Sequence, residues 1–202
     1  MTDALDPRFL RSRGRLRAAV LEVAAARPVD DITVTEVCRA AAVTRDTFYR
    51  HAGSPTELLV AALEERFEAV AREHLDADGG VPPEGFGGAE RALLAHVLEH
   101  RAVYRSAMRP VLLAPLRAAL EAVVAEGLVT HLLRHPESLP AGVAVDDAEA
   151  LDLVAGYAAA GTIGAIERWI VGDEPDVERG ARLILAASPE FWFRPFGGRP
   201  SV

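Results

Sequence analysis

The sequence contains no lysine: all 22 of its basic residues are arginine. This is a bias of composition to which no function attaches. Cysteine occurs once, at Cys38, so no disulfide can form within the chain and a reducing compartment is expected. Aromatic residues make up only 6% of the chain and no strand-like alternation is visible, which argues against a β fold. Long hydrophobic runs are absent too. The longest uncharged one, "LVAGYAAAGTIGAI" at 153–166, falls short of the roughly 20 residues that span a bilayer. No secretory leader is legible, because the apolar stretch after the first arginines is broken by Glu22. A soluble, cytoplasmic protein with no membrane partner is expected.

What is present favours helix. Half of the 202 residues are hydrophobic, and Ala, Leu, Val, Arg and Glu dominate. The length allows one or two small domains with a full core. Apolar residues at Leu16, Ala19, Val20 and Val23 recur with helical spacing. "TVTE" at 33–36 and "SPTE" at 54–57 are capping boxes, the second with Pro55 at the first helical position. They predict helices over 34–41 and from 55 toward 77. "DADGGVPPEGFGG" at 76–88 reads as a loop, and its "GFGG" as a turn rather than a phosphate cradle. Further helices are predicted at 89–100, 102–108, 115–134, 147–171 and 176–187. The expected fold is all-α with about nine helices. The capping box at Ser54 sets the expected domain boundary, with residues 1–53 on one side and 54–202 on the other.

The net charge of −8 is unevenly distributed. Residues 1–56 hold nine arginines against seven acids, with Arg8, Arg11, Arg13, Arg15 and Arg17 clustered at the start. A basic arm ahead of an acidic body suggests an anionic partner at one end only. The stretch "TRDTFYRH" at 44–51 makes that partner specific. On a helix Phe48 turns into a small core, while Tyr49 turns outward with Arg45, Asp46, Thr47 and Arg50. These side chains suit phosphates and base edges, and a short helix, a tight turn and a second short helix is the geometry that enters a major groove. Asp46 has two readings: acceptor from a cytosine amino group, or a charge that only stabilises the helix start.

Residues 15–59, "RLRAAVLEVAAARPVDDITVTEVCRAAAVTRDTFYRHAGSPTELL", also resemble the N-terminal domain of TetR-family transcriptional regulators. The matching positions are Thr33, Val37, Ala41, Val43, Thr44, Thr47, Phe48, Tyr49, His51, Ser54 and Leu58. The resemblance implies DNA contacts from Thr33, Thr44, Arg45, Thr47, Tyr49 and His51, mostly to phosphates; for His51 it is the only argument. Three positions depart from the family pattern. Ala42 stands for the turn glycine, Asp46 for the glycine that opens the recognition helix, and Pro55 for a phosphate-binding lysine.

The family's final two helices dimerise, and 147–171 and 176–187 occupy their place. Gly156, Ala160 and Gly164 recur every four residues and offer a narrow face for close helix approach. The central helices are expected to hold a small-molecule effector, with His96, His100, Tyr104, Met108, Tyr157 and Trp169 as candidate lining. His96 and His100 also fit H-x-x-E-H, and His131 and His135 repeat the spacing, which puts the two imidazoles of each pair on one helix face. No third ligand accompanies them, and no nucleophile triad or paired carboxylates stand out, so no catalytic residue, metal or cofactor is assigned. The expected function is a homodimeric, ligand-released repressor on a near-palindromic double-stranded DNA operator. The competing readings are a metal-dependent hydrolase or a small-molecule carrier built on the histidine pairs.

Overall fold

Local signals start and stop most of the helices. In the computed structural model, which describes residues 6–75 and 86–196, Asp6 caps the first helix by accepting from the Arg8 amide at 2.8 Å, with Pro7 in the first turn. Nine α-helices and no strand are found among the described residues: α1 (Pro7–Ala24), α2 (Val34–Ala41), α3 (Arg45–Tyr49), α4 (Pro55–Leu75), α5 (Phe86–Glu99), α6 (Arg101–Ser106), α7 (Ala114–Arg134), α8 (Ala148–Ile170) and α9 (Val177–Ala187). The fold is all-α. No helix among those residues is long and apolar enough to cross a membrane.

The chain divides into two compact units. One contains the described residues up to Glu65 together with His100–Leu116; the other contains Arg66–Glu99 and the chain from Arg117 onward. In the first, α1 packs on α2 and α6, and α2 packs on α3. Its core is built from Leu16, Val20, Val37, Phe48 and Leu59. The buried stripe of α1 runs through Ala24, with Val23 at its margin. Asp30 and Arg109 pair at 3.0 Å and tie the turn before α2 to the segment after α6.

Thr33 and Glu36 form the expected capping box. Glu36 N–H donates to Thr33 Oγ1 at 3.3 Å, and Thr33 N–H to Glu36 Oε2 at 2.9 Å. At "SPTE" the second half of the box differs. Ser54 accepts from the Glu57 amide at 3.1 Å, but the Glu57 carboxylate reaches one residue further and accepts from Gly53 N–H at 2.8 Å. α2 ends on Ala42 in the left-handed region (φ 51°, ψ 49°), with Val43 N–H donating to Cys38 O at 3.0 Å and Ala42 N–H to Arg39 O at 3.2 Å. That pattern terminates a helix whichever residue occupies it, although glycine fits it best.

In the second unit α5 packs mainly on α9, and α8 contacts both. The core of α8 is Leu151, Ala155, Ala159, Ile163, Ile166 and Ile170. Gly180 of α9 lies under Trp169: a Cβ there would sit 2.8 Å from the indole nitrogen and 3.1 Å from Leu94. Trp169 Nε1–H donates to Asp176 O at 3.1 Å and closes the turn between α8 and α9. One expectation fails. The loop predicted over 76–88 lies outside the described residues up to 85, but Phe86, Gly87 and Gly88 form the first turn of α5. A Cβ on Gly87 would lie 3.7 Å from Leu185 of α9, so this helical turn packs close to α9, a contact that its composition does not announce.

Candidate nucleic-acid interface and ligand cavity

Thr44 positions the head's second short helix. Its Oγ1 accepts from the Thr47 amide at 3.2 Å and lies 2.9 Å from Thr47 Oγ1. Five residues of helix follow, and they separate two environments. Phe48 is fully buried, while Tyr49 is 54% exposed with its ring edge-on to Phe48 at 5.5 Å. Arg45, Asp46 and Arg50 are exposed and make no ion pair within the described residues. Thr33 is exposed as well, with its hydroxyl donating to Glu36 at 2.7 Å. The structure therefore brings Thr33, Thr44, Arg45, Asp46, Thr47, Tyr49 and Arg50 to the two short helices and their caps. A carboxylate, two guanidinium groups and a phenol stand exposed there, and none of the three charged groups is ion-paired among the described residues.

His51 differs from these. It is half-buried, its ring stacks against Phe9 at 4.1 Å, and its Nε2 lies 2.8 Å from Ser12 Oγ. Ser12 Oγ donates to Phe9 O at 2.9 Å, so it accepts from His51 Nε2–H. Neutral His51 thus keeps Nδ1 as an acceptor and has no proton to give a phosphate there. Burial, followed by Arg50, Arg13 and Arg17, holds its pKa below the usual histidine value. Among the N-terminal arginines, Arg17 pairs with Glu65 and Arg15 donates to Ala42 O at 3.4 Å.

The second unit contains a cavity of about 60 Å³ lined by Phe86, Glu90, Val124, Leu128, Trp192 and Phe193 among others. Glu90 is 8% exposed, and its Oε1 has no hydrogen-bond partner. Burial pushes its pKa up to about 7. Beside the cavity His131 meets the Phe86 ring at 4.6 Å and Ser138 Oγ at 3.3 Å; burial, reinforced by His135, lowers its pKa to about 4.

None of the six residues proposed from sequence as ligand lining is among those that surround this cavity. His96 is buried in α5 against Phe67, whereas His100 lies past the last residue of α5, Glu99, as the cap of α6. Tyr104 is buried in the first unit, and Met108 sits in the turn that pairs with Leu112. Trp169 closes the α8–α9 turn. Tyr157 is 77% exposed and borders an open groove of about 490 Å³ between α8 and α9. His131 and His135 do come together, with ring centroids 4.8 Å apart, but His135 lies past the end of α7 and pairs with Glu137 at 3.2 Å. Among the described residues no group of three or more His, Cys, Asp or Glu side chains is placed to hold a metal.

The face expected to dimerise is mixed. Gly156 is open and Ala160 borders the groove, but Gly164 is buried near Arg117 and Arg168 of its own chain. Arg117 there bridges Glu167 and Glu121, both at 2.7 Å. The exposed large apolar groups of these two helices are instead Leu153 and Tyr157 of α8 and Leu183 of α9. Sequence reasoning missed Glu90 and the aromatic wall. The run "FWFRPF" at 191–196, which holds four of the chain's twelve aromatics, was the available signal.

No family model matches the chain, and no curated protein matches it. Solved structures do. RolR in complex with resorcinol is 24% identical, covering 89% of this chain and 88% of that one, with a TM-score of 0.61. The dihydroxyacetone kinase operon activator DhaS is 14% identical over 92% of this chain and 96% of its own, with a TM-score of 0.63. A TetR-family transcriptional regulator from Streptomyces coelicolor is 19% identical over 87% of this chain and 78% of its own, with a TM-score of 0.56. With its short-helix head, long α4 and paired α8 and α9, the chain has the fold of TetR-family transcriptional regulators.

Proposed function

We propose that this chain is a cytoplasmic, homodimeric transcriptional repressor that binds near-palindromic double-stranded DNA and is released by a small molecule. Residues 1–53 act as the DNA-binding domain and 54–202 as the ligand and dimerisation domain. The observation that carries this reading is the α3 face: exposed, unpaired Arg45, Asp46 and Arg50 and an exposed Tyr49 stand over a fully buried Phe48. Such a helix presents donors and acceptors to a major groove, while Thr33, Thr44 and Thr47 at the caps meet phosphates. His51 joins them when protonated.

Two heads on a twofold axis read half-sites about 34–36 Å apart. The exposed Leu153, Tyr157 and Leu183 supply an apolar surface for that axis, with Gly156 and Ala160 allowing close approach. Ala158, Thr162 and Ser188 line both the internal cavity and the groove on this face. A ligand in the cavity therefore bears on the residues that set the dimer geometry, and its differential affinity for two spacings weakens DNA binding. RolR, solved with resorcinol, supports an aromatic effector of modest size. QsdR from R. erythropolis is described as a TetR-family repressor and DhaS as an operon activator; this chain is read with the former.

Selection from a random duplex library, followed by fluorescence anisotropy at several salt concentrations, tests the proposal. A twofold-symmetric consensus is expected, with affinity that falls steeply as salt rises. Recovery of no consensus, with retention equal on all duplexes, rules it out.

A further inference from the structure

The cavity of the second unit combines an apolar, aromatic wall with one carboxyl group. Among the described residues that line it Glu90 is the only ionisable one, and the rings of Phe86, Trp192 and Phe193 stand with it. Buried polar groups in folded proteins are nearly always hydrogen-bonded, so a 92%-buried carboxyl with an unpartnered oxygen needs a partner that none of the described residues supplies. Thr162 and Ser188 also line the cavity, but Ser188 Oγ already donates to Ile184 O at 2.9 Å. An apolar ligand fills the space and leaves the carboxyl unpaired. A neutral hydroxyl satisfies one oxygen yet does not neutralise the carboxyl when it is ionised. An ammonium group does both, and aromatic faces attract cations.

The geometry points to Glu90 as the specificity-determining residue for a small aromatic or aliphatic amine, bound as its ammonium ion with its apolar body against Phe86, Trp192 and Phe193. This rests on the reading of the second unit as the effector domain and names the class of effector. The raised pKa of Glu90 is in keeping with it, since an arriving cation draws the carboxyl into its ionised form and releases a proton. His131 stands against Phe86 on the cavity wall; it is neutral above about pH 6 and does not compete for the cation.

Three probes of nearly equal size separate the possibilities: benzylamine, benzyl alcohol and toluene, titrated calorimetrically into the full-length protein at about pH 8, where Glu90 is ionised. Benzylamine is expected to bind about tenfold more tightly than benzyl alcohol, and Glu90→Gln to abolish that preference while toluene binds as before. Wild type gives a readout that needs no variant: amine affinity should fall as pH drops from about 8 to about 5.5 and Glu90 takes up its proton, while alcohol affinity stays level. Equal affinity for amine and alcohol at both pH values overturns the amine assignment and leaves the effector domain standing. Failure of all three probes to bind overturns both.

Discussion

Phe48 and Tyr49 are neighbours in sequence and opposites in environment, the first wholly buried and the second more than half exposed. Phe48→Ala should destabilise the head by about 3–5 kcal/mol. Tyr49→Ala should leave the melting curve unchanged and weaken operator binding. Circular dichroism melts and anisotropy titrations on the two variants give the comparison, and equal losses of stability would contradict the assigned faces. His51 makes a sharper case. Its Nε2–H is committed to Ser12, so only the protonated ring has a second N–H for a phosphate. Its pKa lies below the usual histidine value in the free protein, and a phosphate contact raises it. Binding then takes up a proton, and affinity should rise as pH falls through 6.5 and below. In His51→Gln the pH dependence over that window should flatten; an unchanged profile removes His51 from the interface.

At the scale of the element, two backbone positions carry opposite predictions. Ala42 holds a left-handed conformation at the end of α2. Glycine adopts it without the Cβ penalty, so Ala42→Gly should stabilise the head by about 1 kcal/mol, seen as a higher urea midpoint with an unchanged slope. Gly180 is the reverse. Its φ is unremarkable, but Trp169 and Leu94 occupy the space of a side chain. Gly180→Ala should cost about 1–3 kcal/mol, because α9 must move away from α8 or the indole must give up its bond to Asp176. The helix limits themselves were legible. Thr33, Thr44, Asp147 and Asp176 each accept from an amide three residues on, an interaction contained within four residues of sequence. Phe86–Gly88 was not legible, since its glycines read as a loop and its packing beside α9 joins residues about a hundred positions apart.

For the whole molecule, the apolar side chains left outside are as informative as those inside. Leu153 is 72% exposed and Tyr157 77%, and with Leu183 they form the surface proposed to pair two chains. Tyr157→Arg should yield a folded monomer by sedimentation at micromolar concentration and abolish cooperative binding to a full operator. A variant that remains dimeric places the interface elsewhere. Gly164, chosen from sequence spacing, is a poorer probe because Arg117 and Arg168 of the same chain cover it. The buried ionisable groups predict how stability depends on pH. Glu90, raised to about 7, favours the folded state at low pH, and that contribution is lost as pH rises from about 4.5 through 7. His131, lowered to about 4, favours it at high pH, and its contribution is lost as pH falls from 6.5 through 4. Between about pH 4.5 and 6.5 the two slopes oppose each other. Glu90→Gln should expose the histidine slope alone and gain up to about 3 kcal/mol over wild type above pH 7, measured by denaturant melts across the range.

The head could be derived from its own sequence because its determinants are local: two caps, one turn, one aromatic facing in and one facing out, all within residues 33–51. The all-α class and the limits of α8 and α9 followed from caps, prolines and the lack of alternation in the same way. The cavity is another matter. Glu90 and Trp192 are a hundred residues apart, and neither has a pattern that singles it out; only the packing of α5 on α9 brings them together. Tyr157 and Trp169 looked alike as large groups on one helix, yet twelve residues of helix leave them about 120° apart, and the turn after α8 places the first in solvent and the second over Gly180. Hydrogen bonds to the backbone act over four residues and can be read from them. Burial is set by what arrives from elsewhere in the chain, and that is decided only when the helices pack.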